Sequence, residues 1–243
     1  MNLVRQLAIN NTAQRRAVLE SLLDVLGVNY VEDSRVAPIN VIVDIGNQNE
    51  NAIMFSAHYD VFSVSTGAND NASSLSVLLK LLSYFKDHNE DNKHYRFVFF
   101  DLEEQRGAGS RAYIQRHGVN DIAAVINLDV VGVGDYVCVY PYSYQNNSVI
   151  RGFLNNDVIN NNHVKVLRDM PPGDDRTFCH LVPTLTISVL TDEDIEALYS
   201  HHFLSMPVLQ TMHCVSSRDC LESVQQSALD KTYHYLVDVI NHQ

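Results

Sequence analysis

The chain has 243 residues, with 17 Lys+Arg against 29 Asp+Glu and a formal net charge of −12 at pH 7. It is 46% hydrophobic, and its 10 Gly and 6 Pro exclude a fibrous or low-complexity protein. The basic residues are scattered, as in Arg15-Arg16 and Lys93…Arg96, so nucleic acid is not expected as a partner. The acidic excess fits either solubility or carboxylates collected around cations.

Residues 1–30 carry Arg5, Arg15, Arg16, Glu20 and Asp24 and lack the apolar run of a secretory leader. No stretch approaches the roughly 20 apolar residues of a membrane span. The expectation is a cytoplasmic protein with no membrane partner. Cys138, Cys179, Cys214 and Cys220 form no C-x-x-C pair, so no structural zinc knuckle is expected. They suit a reducing compartment, although Cys214 and Cys220 could pair in an oxidising one.

In chain order, a helix begins at Asn11 or Thr12, carries Ala17, Leu19, Leu22, Leu23 and Leu26, and stops at Gly27. Ile39–Ile45 and Ala52–Ala57 read as strands joined by a polar turn, which suggests an antiparallel hairpin. A helix follows with Leu75, Leu78, Leu79, Leu82 and Phe85 on one face. Tyr95–Asp101 is apolar nearly throughout, as in a central strand. Gly109-Ser110 opens a helix to about Arg116, and Ile122–Val131 and Asp135–Tyr140 read as strands. Ser143–Val158 reads as a helix, Pro171-Pro172-Gly173 as a turn and Val182–Val189 as a strand. Thr191–Asp194 has the acids of a helix start, and Leu221–Ile240 reads as a closing helix. Alternating strands and helices predict one α/β domain over residues 1–243, with a central, mostly parallel (mixed) sheet and helices on both faces.

Histidines and acids concentrate in five segments, most of them near predicted strand ends, where open α/β sheets bind ligands. They are His58-Tyr59-Asp60, Gly67-Ala68-Asn69-Asp70-Asn71, Asp101-Leu102-Glu103-Glu104, Asn127-Leu128-Asp129 and His213. Singly each has an ordinary reading. His58 could be a satisfied core histidine, Asp70 a helix N-cap, and Glu103-Glu104 a solvated pair. Asp129 follows Val125, Ile126 and Leu128 and would be costly to bury without a partner.

Together, H-x-D, G-A-x-D-N-x-S, F-x-x-x-E-E followed by Gly109-Ser110, L-D and a late His resemble the M28 family of zinc-dependent aminopeptidases. The resemblance spans about residues 52–220. It implies a zinc-exopeptidase fold and a site for two zinc ions, with cobalt or manganese as alternatives. By resemblance, His58 and Asp129 hold one ion, Glu104 and His213 the other, and Asp70 bridges them. Asp60 would orient His58, and Glu103 would be the general base. The implied reaction is hydrolysis of the N-terminal bond of a peptide or amino-acyl substrate with a free α-amino group by zinc-activated water. Such chemistry needs ligands of this type and a non-ligand carboxylate to move the proton.

Three departures stand out. Arg106 occupies a position where the family often has Gly, Ser74 another, and the spacing from His213 to Asp219 is slightly long. Asp174-Asp175-Arg176-Thr177-Phe178 resembles a family stretch that shapes the pocket wall. His201-His202 reads as an exposed helix end.

Competing readings are a glutaminyl-cyclase-like enzyme with one zinc on the same fold, or a catalytically inert relative. Cyclases commonly line the pocket with Trp, and this chain has none. Gly107-Ala-Gly-Ser-Arg-Ala112 matches a dinucleotide pattern formally, but Glu103 and Glu104 just before it would repel a pyrophosphate. Monomer and dimer are both compatible with the sequence.

Overall fold

The computed structural model describes residues 1–62, 64–89, 92–143, 146–200, 202, 205–211 and 218–242. Two helices open the chain, α1 (Asn2–Leu7) and α2 (Thr12–Leu26). The Asn11 side chain caps α2 by accepting from the Gln14 N–H, and Gly27 ends it in the left-handed conformation. Then come β1 (Val31–Glu32), β2 (Val41–Ile45), β3 (Ala52–His58), a wide turn at Ala68–Ser73, α3 (Ser74–His88) and β4 (Tyr95–Phe100). Next are α4 (Ala108–His117), β5 (Ile122–Leu128), β6 (Tyr136–Ser143), α5 (Ser148–Phe153), α6 (Asn156–Asn161), β7 (Lys165–Val166) and α7 (Asp175–Phe178). The chain closes with β8 (Thr184–Leu190), α8 (Asp192–Tyr199) and α9 (Gln226–Asn241).

The strands form one mixed sheet in the order β1-β2-β4-β3-β5-β8-β6-β7. The central four, β4, β3, β5 and β8, are parallel. β2 and β6 flank them antiparallel. Parallel strands bury both faces, which explains their apolar runs. Along β4, Phe97 and Phe99 enter one core while Val98 and Phe100 enter the other. The larger core lies under α1, α2, α3 and α9, and the smaller one lies under α4 and α7. The expected α/β architecture is therefore present.

Two expectations are corrected. The strands at Ile39–Ile45 and Ala52–Ala57 form no hairpin, because β4 inserts between β2 and β3. Its nearly all-apolar run needs neighbours on both edges, and sequence adjacency yields to that. The helix expected over Ser143–Val158 is two short helices: Leu154 caps the end of α5, and the Asn155 side chain caps α6 through the N–H groups of Asp157 and Val158. The closing helix begins at Gln226, after a short 3-10 turn at Leu221–Ser223. No helix among the described residues is long and apolar enough to cross a membrane.

An aromatic cluster locks α3 to the sheet. Phe85 stacks on Tyr95 with centroids 3.8 Å apart and also meets Phe55 at 5.8 Å. Phe85 is fully buried. Phe85→Ala should destabilise the chain by about 3–5 kcal/mol in urea unfolding; a loss below about 1 kcal/mol would show that α3 is held by other contacts.

Candidate metal centre

The parallel strands deliver their carboxyl ends to one edge. β3 ends in His58, β4 leads to Glu103 and Glu104, and β5 leads to Asp129. After β4 and β5 the backbone turns through left-handed residues, Leu102 at φ 51° and Val130 at φ 50°. These turns carry the following and preceding acids out of strict strand alternation.

His58 Nε2 lies 3.0 Å from Asp70 Oδ1 and 3.6 Å from Asp129 Oδ1. One ligand atom from each of His58, Asp70 and Asp129 falls within 4.8 Å of the others. His58 and Asp70 are buried, and Asp129 is partly open. His58 Nδ1 faces Asp60 Oδ1 at 3.2 Å, off the line of a hydrogen bond. Asp60 also accepts the backbone N–H of Glu103 at 2.9 Å and of Glu104 at 3.1 Å. One carboxylate thus ties the imidazole to the glutamate pair. His213 lies outside the described residues, as do His201 and Cys214; His202 is exposed.

The segment around Asp70 is stitched down by its neighbours. Asn69 Oδ1 accepts the Gly132 N–H, Asn71 Oδ1 accepts the Val130 N–H, and Ser73 Oγ accepts the Val131 N–H. Alternate residues bond the loop after β5, while Asp70 faces His58. α3 begins at Ser74, four residues beyond Asp70, so Asp70 is not its N-cap. Gly109 has a separate reason: a Cβ there would sit 1.9 Å from the Asp101 carbonyl oxygen. Its absence lets α4 pack against the turn that carries the glutamates.

Crowded acids shift one another's pKa values. Burial opposes a charge on His58, but Asp129, Asp60 and Asp70 outweigh it and hold the ring well above its ordinary pKa. Burial pushes Glu103 up to about 10, helped by Asp174, Asp129 and Asp70 and opposed by His58. Asp174 is fully buried and rises to about 7, mainly through burial, with Asp60 and Asp129 adding to it. A site of this kind is short of positive charge. Imidazole and carboxylate oxygens are zinc donors, so the residues present fit such an ion.

The sequence pattern of peptidase family M28 matches residues 40–171, more than half of the chain. The chain belongs to peptidase family M28. A vacuolar membrane protease of Candida glabrata is 30% identical over 119 residues, which are 49% of this chain and 12% of that protein. The chain therefore spans about an eighth of that relative. Among solved structures, a zinc aminopeptidase from Bacillus subtilis superposes with a TM-score of 0.68 at 22% identity, covering 84% of this chain and 49% of that one. A glutaminyl cyclase from Porphyromonas gingivalis superposes with a TM-score of 0.73 at 19% identity, covering 100% of this chain and 96% of that one. Both structures share the fold.

The sequence reading missed one residue that supports the site, Arg15, and left another, Asp219, without a role. Arg15, grouped above with scattered basic residues, is fully buried. Its guanidinium donates to the carbonyls of Thr66 at 2.6 Å, Gly67 at 3.1 Å, Ile9 at 3.2 Å and Asp60 at 3.4 Å. Burial lowers its pKa to about 10, while Asp219, Asp70, Asp60 and Glu104 act to keep it charged. A signal existed: Arg15, Leu19 and Leu23 share one face of α2 at four-residue spacing and are the helix's buried residues. Asp219, whose role the sequence left open, accepts from Ser65 Oγ at 2.6 Å and from the Asn69 N–H at 2.7 Å. It fixes the start of the Asp70 turn, and no local pattern marks it.

Arg15→Met should therefore cost about 3–5 kcal/mol. Arg16, whose partly exposed ion pairs with Glu20 and Glu32 measure 3.4 and 3.3 Å, should lose less than about 1 kcal/mol on the same change. Equal losses in denaturant titrations would refute the structural role of the Arg15 hydrogen bonds to the Ile9, Asp60, Thr66 and Gly67 carbonyls. A second expectation concerns pH. Glu103 and Asp174 bind protons more tightly in the folded metal-free chain, at about 10 and about 7, than unfolded. The stability they contribute is full below the ordinary carboxylate range and is lost as pH rises through those values. The melting temperature of metal-free protein should fall from pH 5 to pH 8, and added zinc should flatten the slope. A midpoint that rises across this range without metal would contradict the assignment.

Proposed function

We propose that this chain is a metallo-aminopeptidase that removes the N-terminal residue of peptides. The observation that carries the reading is the meeting of His58, Asp70 and Asp129 within 4.8 Å beside the Glu103-Glu104 turn. His58, Asp70 and Asp129 would hold zinc, and Glu104 and His213 would complete a second position sharing Asp70. Cobalt and manganese accept the same donors. Bound zinc supplies Lewis acidity and lowers the pKa of water.

The chain's own groups do the rest. Glu103 is the member of the glutamate pair assigned no metal, and it takes the water proton at its side-chain oxygen and passes it to the leaving amine. Positive charge among the neighbouring carboxylates brings Glu103 down from about 10 toward the range of a working base. Asp60 keeps Glu103 in reach by holding its backbone N–H. It also faces the free nitrogen of His58, as the orienting partner of a metal-bound imidazole does. The surrounding carboxylates attract the substrate's α-ammonium group and so favour free N-termini.

The glutaminyl-cyclase reading draws on fold similarity at nearly full length. A peptide headed by glutamine separates the two. Aminopeptidase action releases free glutamine, whereas cyclisation releases ammonia and leaves the peptide blocked. Mass spectrometry of the products should show released amino acid from this and from leucine-headed peptides; ammonia loss alone would replace the reading by cyclisation. Glu103→Gln should retain zinc and lose at least about 10²-fold in turnover. Near-normal turnover in the zinc-loaded variant would remove Glu103 from the base role.

A further inference from the structure

A cavity of about 570 Å³ opens beside the site, lined by Glu103, Arg106, Gly107, Arg111, Pro172, Gly173, Arg176 and Thr177. It borders the metal centre through Glu103 and Gly173. Glu103 forms part of its wall, and a Cβ on Gly173 would lie 2.9 Å from Asp129 Oδ2. In a chain of net charge −12, three arginines line this one cavity.

Their placement is specific. Arg106 sits at φ 62°, in the left-handed region that glycine enters freely and other residues enter at a cost. Arg111 on α4 donates to the carbonyls of Arg106 and Gln105, which binds the arginine-bearing loop together. Gly107, the N-cap of α4, also lines the cavity, so the positive end of a ten-residue helix faces the same space. Asp174 and Asp175 lie close by, but both are buried, whereas Arg106, Arg111 and Arg176 are exposed.

The site is therefore dipolar: carboxylates at the metal end, guanidiniums beyond Glu103. We propose that the arginine-lined cavity binds a carboxylate on the leaving side of the scissile bond, as a subsite of the peptidase reading on which it rests. That carboxylate is either the C-terminus of a dipeptide or an acidic second side chain. In a dipeptide the opposite charges are about two residues apart, roughly 7 Å when extended. Planar guanidiniums suit carboxylates through paired N–H donors.

The test has a binding arm and a turnover arm. In the binding arm, metal-free protein is titrated with N-acetyl-alanine and with N-acetyl-alaninamide by NMR. The acid should bind at least about fivefold more tightly, as for several partly exposed charge pairs. The triple variant Arg106→Gln, Arg111→Gln, Arg176→Gln should bring the ratio to near one. Inorganic phosphate serves as a competitor, and displacement of N-acetyl-alanine by phosphate at lower concentrations than by acetate would overturn the choice of carboxylate. In the turnover arm, zinc-loaded enzyme is compared on Leu-Ala, Leu-Ala-amide, Leu-Glu-amide and Leu-Gln-amide. Preference for Leu-Ala over its amide assigns the cavity to a C-terminus; preference for Leu-Glu-amide over Leu-Gln-amide assigns it to a side chain. Equal binding of acid and amide, or a preference that survives in the triple variant, overturns the subsite. Selective acid binding with no peptide cleaved would retain the carboxylate cavity and overturn the peptidase reading instead.

Discussion

Mutual repulsion among carboxylates is the constraint on which this structure turns. Asp60, Asp70, Glu103, Asp129 and Asp174 all act on or around one imidazole, His58, at the edge of the parallel strands. Buried like charges cannot stay ionised together without compensation. Part of the compensation is built in. Arg15 places a guanidinium beneath the Asp60 and Gly67 loops. Backbone N–H groups of Glu103 and Glu104 point to Asp60, and those of Asn69 and Asp70 point to Asp219. Burial first, and then the neighbouring carboxylates, hold the pKa of Glu103 up, and the carboxylates hold that of His58 up; a divalent cation would offset the imbalance.

The fold serves this arrangement. Four parallel strands send their carboxyl ends to one edge, and strand order there reverses from β3-β4 to β3-β5, opening a crevice. Two cores on opposite faces hold the strands, so the turns that carry the acids project from a rigid base. The short links from strand to acid leave little freedom to separate the carboxylates. Cation demand is thus a property of the backbone path as well as of the side chains.

Much of this was legible in the amino-acid order because chemistry and periodicity coincide. The apolar runs at Ala52 and Tyr95 mark buried strands, and the residues that follow them, His58 and Asp101, are polar although still buried. His58, Asp70 and Asp129 were picked out as ligands only by the family resemblance of their segments taken together, and they do meet in space. The β2–β3 hairpin misled because a short polar turn looks the same whether its strands pair or admit a third between them. Arg15 was obscured because an arginine beside another arginine suggests solvent, although its spacing to Leu19 and Leu23 placed it on the buried face. Asp219 acts across 150 residues on Asn69, and no local pattern reports such a bond.

The most direct test of cation demand is to count the ions that metal-free protein retains after equilibration with excess zinc and desalting. The account predicts tight zinc binding in the wild type, two ions per chain for the full ligand set, with retention lost in Asp70→Ala, which removes the shared ligand. One ion would limit the site to a single zinc position. No zinc retained by folded wild-type protein would contradict the account, because the crowded carboxylates would then be balanced without a metal.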